Sequence, residues 1–303
     1  MSKLITVFGA TGNQGGSVIR QILADAVLSK EFKIRGITRD TSKPAAQALA
    51  KQGVELKTAD LSSKASVAEA VAGANTVFLV TNYWETMNPD TEFSQGKTVA
   101  DAAKEAGVSQ LIFSSLLNVT ETSGGRLTHV PHFDAKAKVE QYIRSTGIRS
   151  TFVLPGYFMS NYLGMLRKGE DGSYTLAYPV GPESKFPLLD AAEDFGKFVT
   201  PALRNPAGLN GKQILAATDY YTPGRILAEF EEVTGKKANF AQLSAEQYKS
   251  FLPPAMADEY LENHLFIENP GYFNGASLKE SLDLLTEKPT TWKEFVKKTA
   301  AFQ

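Results

Sequence analysis

In the first half of the chain, apolar residues gather in short continuous runs separated by stretches of helical spacing. Leu4, Ile5, Val7 and Phe8 lead into Gly9-Ala10-Thr11-Gly12-Asn13-Gln14-Gly15, after which Val18, Ile19, Ile22 and Leu23 recur at helix period. Further runs lie at Phe32–Thr38, Val54–Thr58, Thr76–Thr81, Gln110–Ser115 and Ser150–Leu154. Between them, helical patterns cover Pro44–Gln52, Ser66–Ala72, Glu92–Ala106 and His132–Ser145. Continuous apolar strands alternating with helices predict a parallel sheet buried on both faces. After Pro155 the alternation ends, and Gly, Pro and aromatic residues scatter from Gly156 to Pro187. Helices are predicted at Asp190–Leu203, Ser244–Phe251, Pro254–Glu262 and Thr291–Ala301, with a short strand at Gln213–Ala216. Thr222-Pro223 reads as an N-cap followed by the first residue of another helix.

The expectation is an α/β chain with a Rossmann-type, doubly wound parallel sheet over residues 1–155. A smaller, helix-rich C-terminal lobe over 156–303 completes a cleft, with room for strands that return to the main sheet. Composition narrows the function classes. The chain has 32 basic and 33 acidic residues and a net charge of -1, so there is no electrostatic case for nucleic acid. The absence of cysteine excludes disulfides, thiolate nucleophiles and Cys-based metal sites. Three scattered histidines, His129, His132 and His264, make no metal site. No apolar run approaches the roughly 18–20 residues of a membrane span, and the N-terminus lacks a signal-peptide layout. A cytoplasmic protein is the simplest expectation, with a nuclear visit left open.

Gly9-x-x-Gly12-x-x-Gly15 sits between a strand and a helix, the context in which a glycine turn brings backbone N–H groups to a pyrophosphate. Thr38-Arg39-Asp40 ends the second strand, where an adenosine ribose would lie. An acid there would favour NAD(H). Arg39 and Lys43 are cations suited to a 2′-phosphate, so NADP(H) is the expected cofactor, preferred over NAD(H). Asp40 reads as a cap for the following helix. Asp60-Leu61 falls where adenine is met, although Asp60 serves equally well as a helix cap. Thr81-Asn82-Tyr83-Trp84 ends the fourth strand at the same crevice.

The fifth strand ends in Ser114-Ser115, and His132-Phe133-Asp134-Ala135-Lys136 follows. Short-chain dehydrogenases carry a proton-donating Tyr four residues before a Lys, on one helix face. Here Lys136 matches the lysine and His132 stands in place of the tyrosine. These segments, with Val80-Thr81-Asn82-Tyr83-Trp84-Glu85 and Leu154-Pro155-Gly156-Tyr157-Phe158, resemble the NmrA-like family of atypical short-chain dehydrogenases/reductases, particularly its redox-sensor branch. The resemblance spans nearly the whole chain. It implies that Gly9, Thr11, Gly12, Asn13, Gln14 and Gly15 cradle the pyrophosphate, and that Thr38, Arg39 and Lys43 meet the 2′-phosphate end. Asp60, Leu61, Thr81, Asn82 and Tyr83 would contact the adenine and the middle of the cofactor. Lys136 would bond the nicotinamide ribose, with Pro155, Tyr157 and Phe158 flanking the nicotinamide. Two functions are compatible with it. One is a sensor that reports nucleotide redox state to a protein partner such as a transcription factor. The other is a reductase of a small hydrophobic carbonyl, enone, imine or quinone, using Lys136, or His132 as an acid, without the usual tyrosine. A backbone hydrogen bond at the helix start is the plainer expectation for His132.

Overall fold

The computed structural model describes residues 2–303. Seven strands form the central sheet: β1 (Lys3–Val7), β2 (Phe32–Thr38), β3 (Glu55–Thr58), β4 (Thr76–Leu79), β5 (Gln110–Ser114), β6 (Ser150–Pro155) and, far along the chain, β11 (Gln213–Ala216). Their order is β11-β6-β5-β4-β1-β2-β3, and every pairing is parallel. The order reverses between β1 and β4, which opens a crevice at the carboxyl ends of the strands.

The longer helices are α1 (Asn13–Ala24), α2 (Pro44–Ala50), α3 (Lys64–Val71), α4 (Pro89–Glu105), α5 (Pro131–Thr146), α6 (Ala191–Arg204), α7 (Pro223–Thr234), α8 (Pro254–Phe266) and α9 (Trp292–Lys298). The inner strands are apolar throughout because both faces are covered. Phe78, Ile112 and Val153 pack on one side with Val18 and Ile19 of α1 and Phe195 and Phe198 of α6. Their neighbours Val77, Leu111 and Phe152 pack on the other side with Val99 of α4 and Val139 of α5. Two glycines set the closest helix contacts. A Cβ at Gly196 would lie 2.4 Å from the Ser17 carbonyl oxygen, and one at Gly96 would lie 2.5 Å from Val139.

Caps explain several helix starts. Ser63, Asn88, Asp190 and Thr222 each accept a backbone N–H in the first turn of their helices. Asp40 and Asp60 do not cap. Asp40 binds Ser42 and Asp60 binds the Ser62 N–H, so each turns the chain just before the helix begins.

The region after Pro155 holds two small sheets that no apolar run announces. Strands β7 (Tyr157–Phe158), β10 (Phe186–Leu189) and β12 (Asp219–Tyr221) form one of them. Strands β8 (Leu166–Lys168), β9 (Tyr174–Tyr178) and β13 (Ala238–Gln242) form the other. Helix α6 and strand β11 leave this region to cover and extend the main sheet. No helix among the described residues is long and apolar enough to cross a membrane.

Candidate functional site

A cavity of about 1300 Å³ runs along the carboxyl edge of the sheet and into the C-terminal region. The glycine turn forms its floor. Gly9 adopts φ +66°, which favours glycine. A Cβ at Gly12 would come within 3.3 Å of the Gly9 oxygen, and a Cβ at Gly15 within 2.3 Å of it. Gly12 caps α1 in an extended conformation without any side-chain bond, and the first turn holds no acidic residue. The N–H groups that open the helix are thus left free, beside a positive helix end, in a hollow where side chains are excluded. That arrangement fits a pyrophosphate. Thr11, Asn13 and Gln14 complete this wall, and the buried Gln14 Oε1 has no partner.

Thr38, Arg39, Asp60 and Leu61 line the far end of the cavity. Arg39 is paired with Glu85, and both are well exposed, at 73% and 46%. Exposed pairs contribute only about 0–1 kcal/mol, so the guanidinium is available to a phosphate at small cost. Lys43 lies outside this lining and is exposed at the residue preceding α2.

At the centre, Lys136 of α5 is buried and forms an ion pair with Glu92, which is 1% exposed. The ammonium also donates to the carbonyl and hydroxyl oxygens of Thr81, both at 3.2 Å. The Thr81 hydroxyl in turn donates to Glu92 at 2.6 Å. An ammonium has three protons, and three acceptors surround this one. Lys136 faces the cavity with none of them free.

One helical turn earlier, His132 does more than start the helix. Its Nδ1 is hydrogen-bonded to the buried carboxylate of Glu259 on α8, which also accepts the Tyr83 hydroxyl at 3.3 Å. The Trp84 ring packs on His132 at 4.9 Å and stacks on Tyr260 at 5.7 Å. Tyr83 and Trp84 thereby link the fourth strand to α8 across the cavity, with Asn82 lining it beside them. The inner end is aromatic, walled by Phe133, Pro155, Tyr157, Phe158, Met165 and Tyr272. His264 also lines it. Burial pushes its imidazole down to about 4, and its Nδ1 lies 2.8 Å from the Tyr260 carbonyl. Ser114 and Ser115 are buried but do not reach the cavity, and Leu116 takes their place.

A family model described as the NmrA-like family matches residues 1–296. The chain belongs to the NmrA-like family. Among its relatives is an NmrA-like family domain-containing oxidoreductase, malD, of Malbranchea aurantiaca. It is 36% identical over 259 residues, covering 80% of this chain and 76% of the relative. The fold matches NmrA, a negative transcriptional regulator solved with NAD and with NADP. The TM-score is 0.84 at 24% identity, covering 98% of this chain and 95% of that one. It also matches an NADPH-dependent quinone oxidoreductase of Escherichia coli solved with NADPH. There the TM-score is 0.77 at 25% identity, over 96% and 98% of the two chains.

Within this NmrA-like chain, every residue expected to meet the cofactor except Lys43 lines one cavity. Three acids have no role assigned from the sequence: Glu85, which appears there only within the Val80–Glu85 segment, Glu92 and Glu259. Glu92 reads locally as a first-turn acid favourable to the α4 dipole. Glu259 lies 127 residues from His132, and no local pattern joins them.

Proposed function

We propose that this NmrA-like chain is an NADP(H)-dependent oxidoreductase that reduces a small apolar acceptor. One observation carries the reading: the cavity that holds the glycine turn and the strand ends also includes an aromatic chamber around Phe133, Tyr157 and Tyr272. Pockets for a single small ligand span about 300–1,000 Å³, and this cavity exceeds that range. Relatives named oxidoreductases support the same reading. When bound, the nicotinamide supplies the hydride. The chain's own residues bind the pyrophosphate at the glycine turn, hold the 2′-phosphate at Arg39 and keep the acceptor among aromatic walls. The decisive test is NADPH consumption, followed by absorbance, with a panel of quinones, enones, imines and carbonyls. Turnover with at least one is expected, and failure with all of them would defeat the proposal.

The cofactor preference has its own test. A hydrogen bond to a charged group contributes about 1.5–3 kcal/mol. Arg39→Ala is therefore expected to weaken NADP binding about tenfold or more, with NAD binding nearly unchanged. Calorimetry showing equal NAD and NADP affinities in the parent chain would contradict an NADP preference.

A regulatory reading, with the nucleotide's redox state passed to a protein partner such as a transcription factor, draws support from Lys136. A lysine whose three protons are engaged by Glu92 and Thr81 is a structural cation rather than a proton donor. Tight NADPH binding without turnover, together with partner binding that differs between NADP and NADPH, would favour it.

A further inference from the structure

Adding a hydride to a carbonyl, enone or quinone leaves negative charge on the acceptor, and a proton must meet it. We propose that His132 delivers that proton from Nε2, with Glu259 as its positioning residue. The proposal rests on the reductase reading above.

The other titratable groups at this end of the cavity are poorly suited. The protons of Lys136 are all engaged. Burial, reinforced by the Glu259 charge, pushes the Tyr83 phenol up to about 12, and its hydroxyl already donates to Glu259. Tyr157, Tyr260 and Tyr272 are also raised by burial, and the Tyr272 hydroxyl is given to the Pro155 carbonyl. His264 is held neutral, with its Nδ1 proton directed at the Tyr260 carbonyl.

His132 differs from all of these. It lies one helical turn before Lys136, on the face that borders the cavity. Its Nδ1 is fixed by the Glu259 carboxylate, and Nε2 makes no hydrogen bond within the described residues. A carboxylate at one ring nitrogen sets the tautomer and leaves the other nitrogen to exchange protons. Glu259 has no lysine or arginine partner among the described residues, so its buried carboxylate is met by the His132 ring and the Tyr83 hydroxyl. Trp84 packs on the ring and holds its plane.

In the step itself, the acceptor carbon takes a hydride with its electron pair from the reduced dinucleotide, which leaves oxidised. The π electrons of the acceptor move to its oxygen. That oxygen takes the proton from Nε2, and the neutral imidazole regains a proton from water.

The test uses the full chain with NADPH and either a naphthoquinone or an aromatic enone. Parent kcat is expected to fall as pH rises, because the acid must be protonated. His132→Asn should lower kcat about a hundredfold or more and abolish that limb, with NADPH affinity within about twofold of the parent. Glu259→Gln should lower kcat with KM little changed, and Glu259→Asp should restore part of the rate, a split that a merely structural carboxylate would not give. Imidazole ¹⁵N spectra of the nucleotide-free chain supply a second readout. They should show both ring nitrogens of His132 protonated on the low-pH side of the limb and the remaining proton held on Nδ1 on the high-pH side, with an Nδ1 signal that changes in Glu259→Gln and not in a remote control. An active parent whose rate and pH profile survive His132→Asn would overturn the assignment and spare the reductase reading. A parent that binds NADPH yet turns over no acceptor would overturn both. An Nδ1 signal indifferent to Glu259→Gln would overturn the positioning role.

Discussion

Glu92→Leu is expected to destabilise the chain by about 3–5 kcal/mol, the cost of leaving one partner of a buried ion pair uncompensated. Glu92 is almost wholly enclosed, and Lys136 is buried beside it. Removing the carboxylate leaves an ammonium with only the two Thr81 oxygens. Urea unfolding should report a lower midpoint at unchanged slope. The double variant Glu92→Leu/Lys136→Met is the informative control. Replacing both partners by apolar groups of similar volume is often close to neutral, so it should recover most of the loss. A single variant that unfolds at the parent midpoint, or a double variant no more stable than the single, would show that the pair does not carry this part of the core.

Gly15→Ala is expected to raise the dissociation constants of NADP and NAD together, by about a hundredfold. The new methyl would sit 2.3 Å from the Gly9 oxygen, 2.6 Å from the Gly9 carbonyl carbon and 2.8 Å from the Phe8 oxygen. These are backbone atoms of the strand and the turn itself. A rotamer change cannot relieve the clash, and overpacking of this kind costs about 1–3 kcal/mol, occasionally more. The turn must open, and the N–H groups at the start of α1 lose their aim. The contrast with Arg39→Ala separates the two parts of the site, because the arginine variant should discriminate between the nucleotides and the glycine variant should not. Calorimetry giving parent affinities for Gly15→Ala would remove the turn from the binding site.

The main sheet was readable from sequence because its inner strands are buried on both faces. Thr76–Leu79 and Gln110–Ser114 are fully buried, so no polar alternation blurs them. Thr222-Pro223 and Gln213–Ala216 were readable for local reasons, a cap with its proline and a compact apolar run. The small sheets were not. Tyr157–Phe158 and Leu166–Lys168 are too short to form a pattern, and Tyr174–Tyr178 is stabilised by pairing with Ala238–Gln242. The candidate site divides in the same way. Gly9, Gly12, Gly15 and Arg39 declare themselves through position beside a strand end. Glu85, Glu92 and Glu259 gain meaning only from partners brought together by the fold. His132 was visible as a substitution for tyrosine, and its carboxylate partner was not.

The pairing of β11 with β6 has a consequence for how the chain is made. Strand β6 is buried along its whole length, and one of its edges is closed only when Gln213–Ala216 docks in parallel with Phe152–Pro155. During synthesis residues 156–212 must emerge first, so an apolar sheet edge stays open on the ribosome for that entire interval. Open edges of this kind template pairing with other chains. A chain terminated shortly after residue 155 would keep that edge permanently, and it should depend on chaperones or precipitate even with the first six strands of the sheet complete.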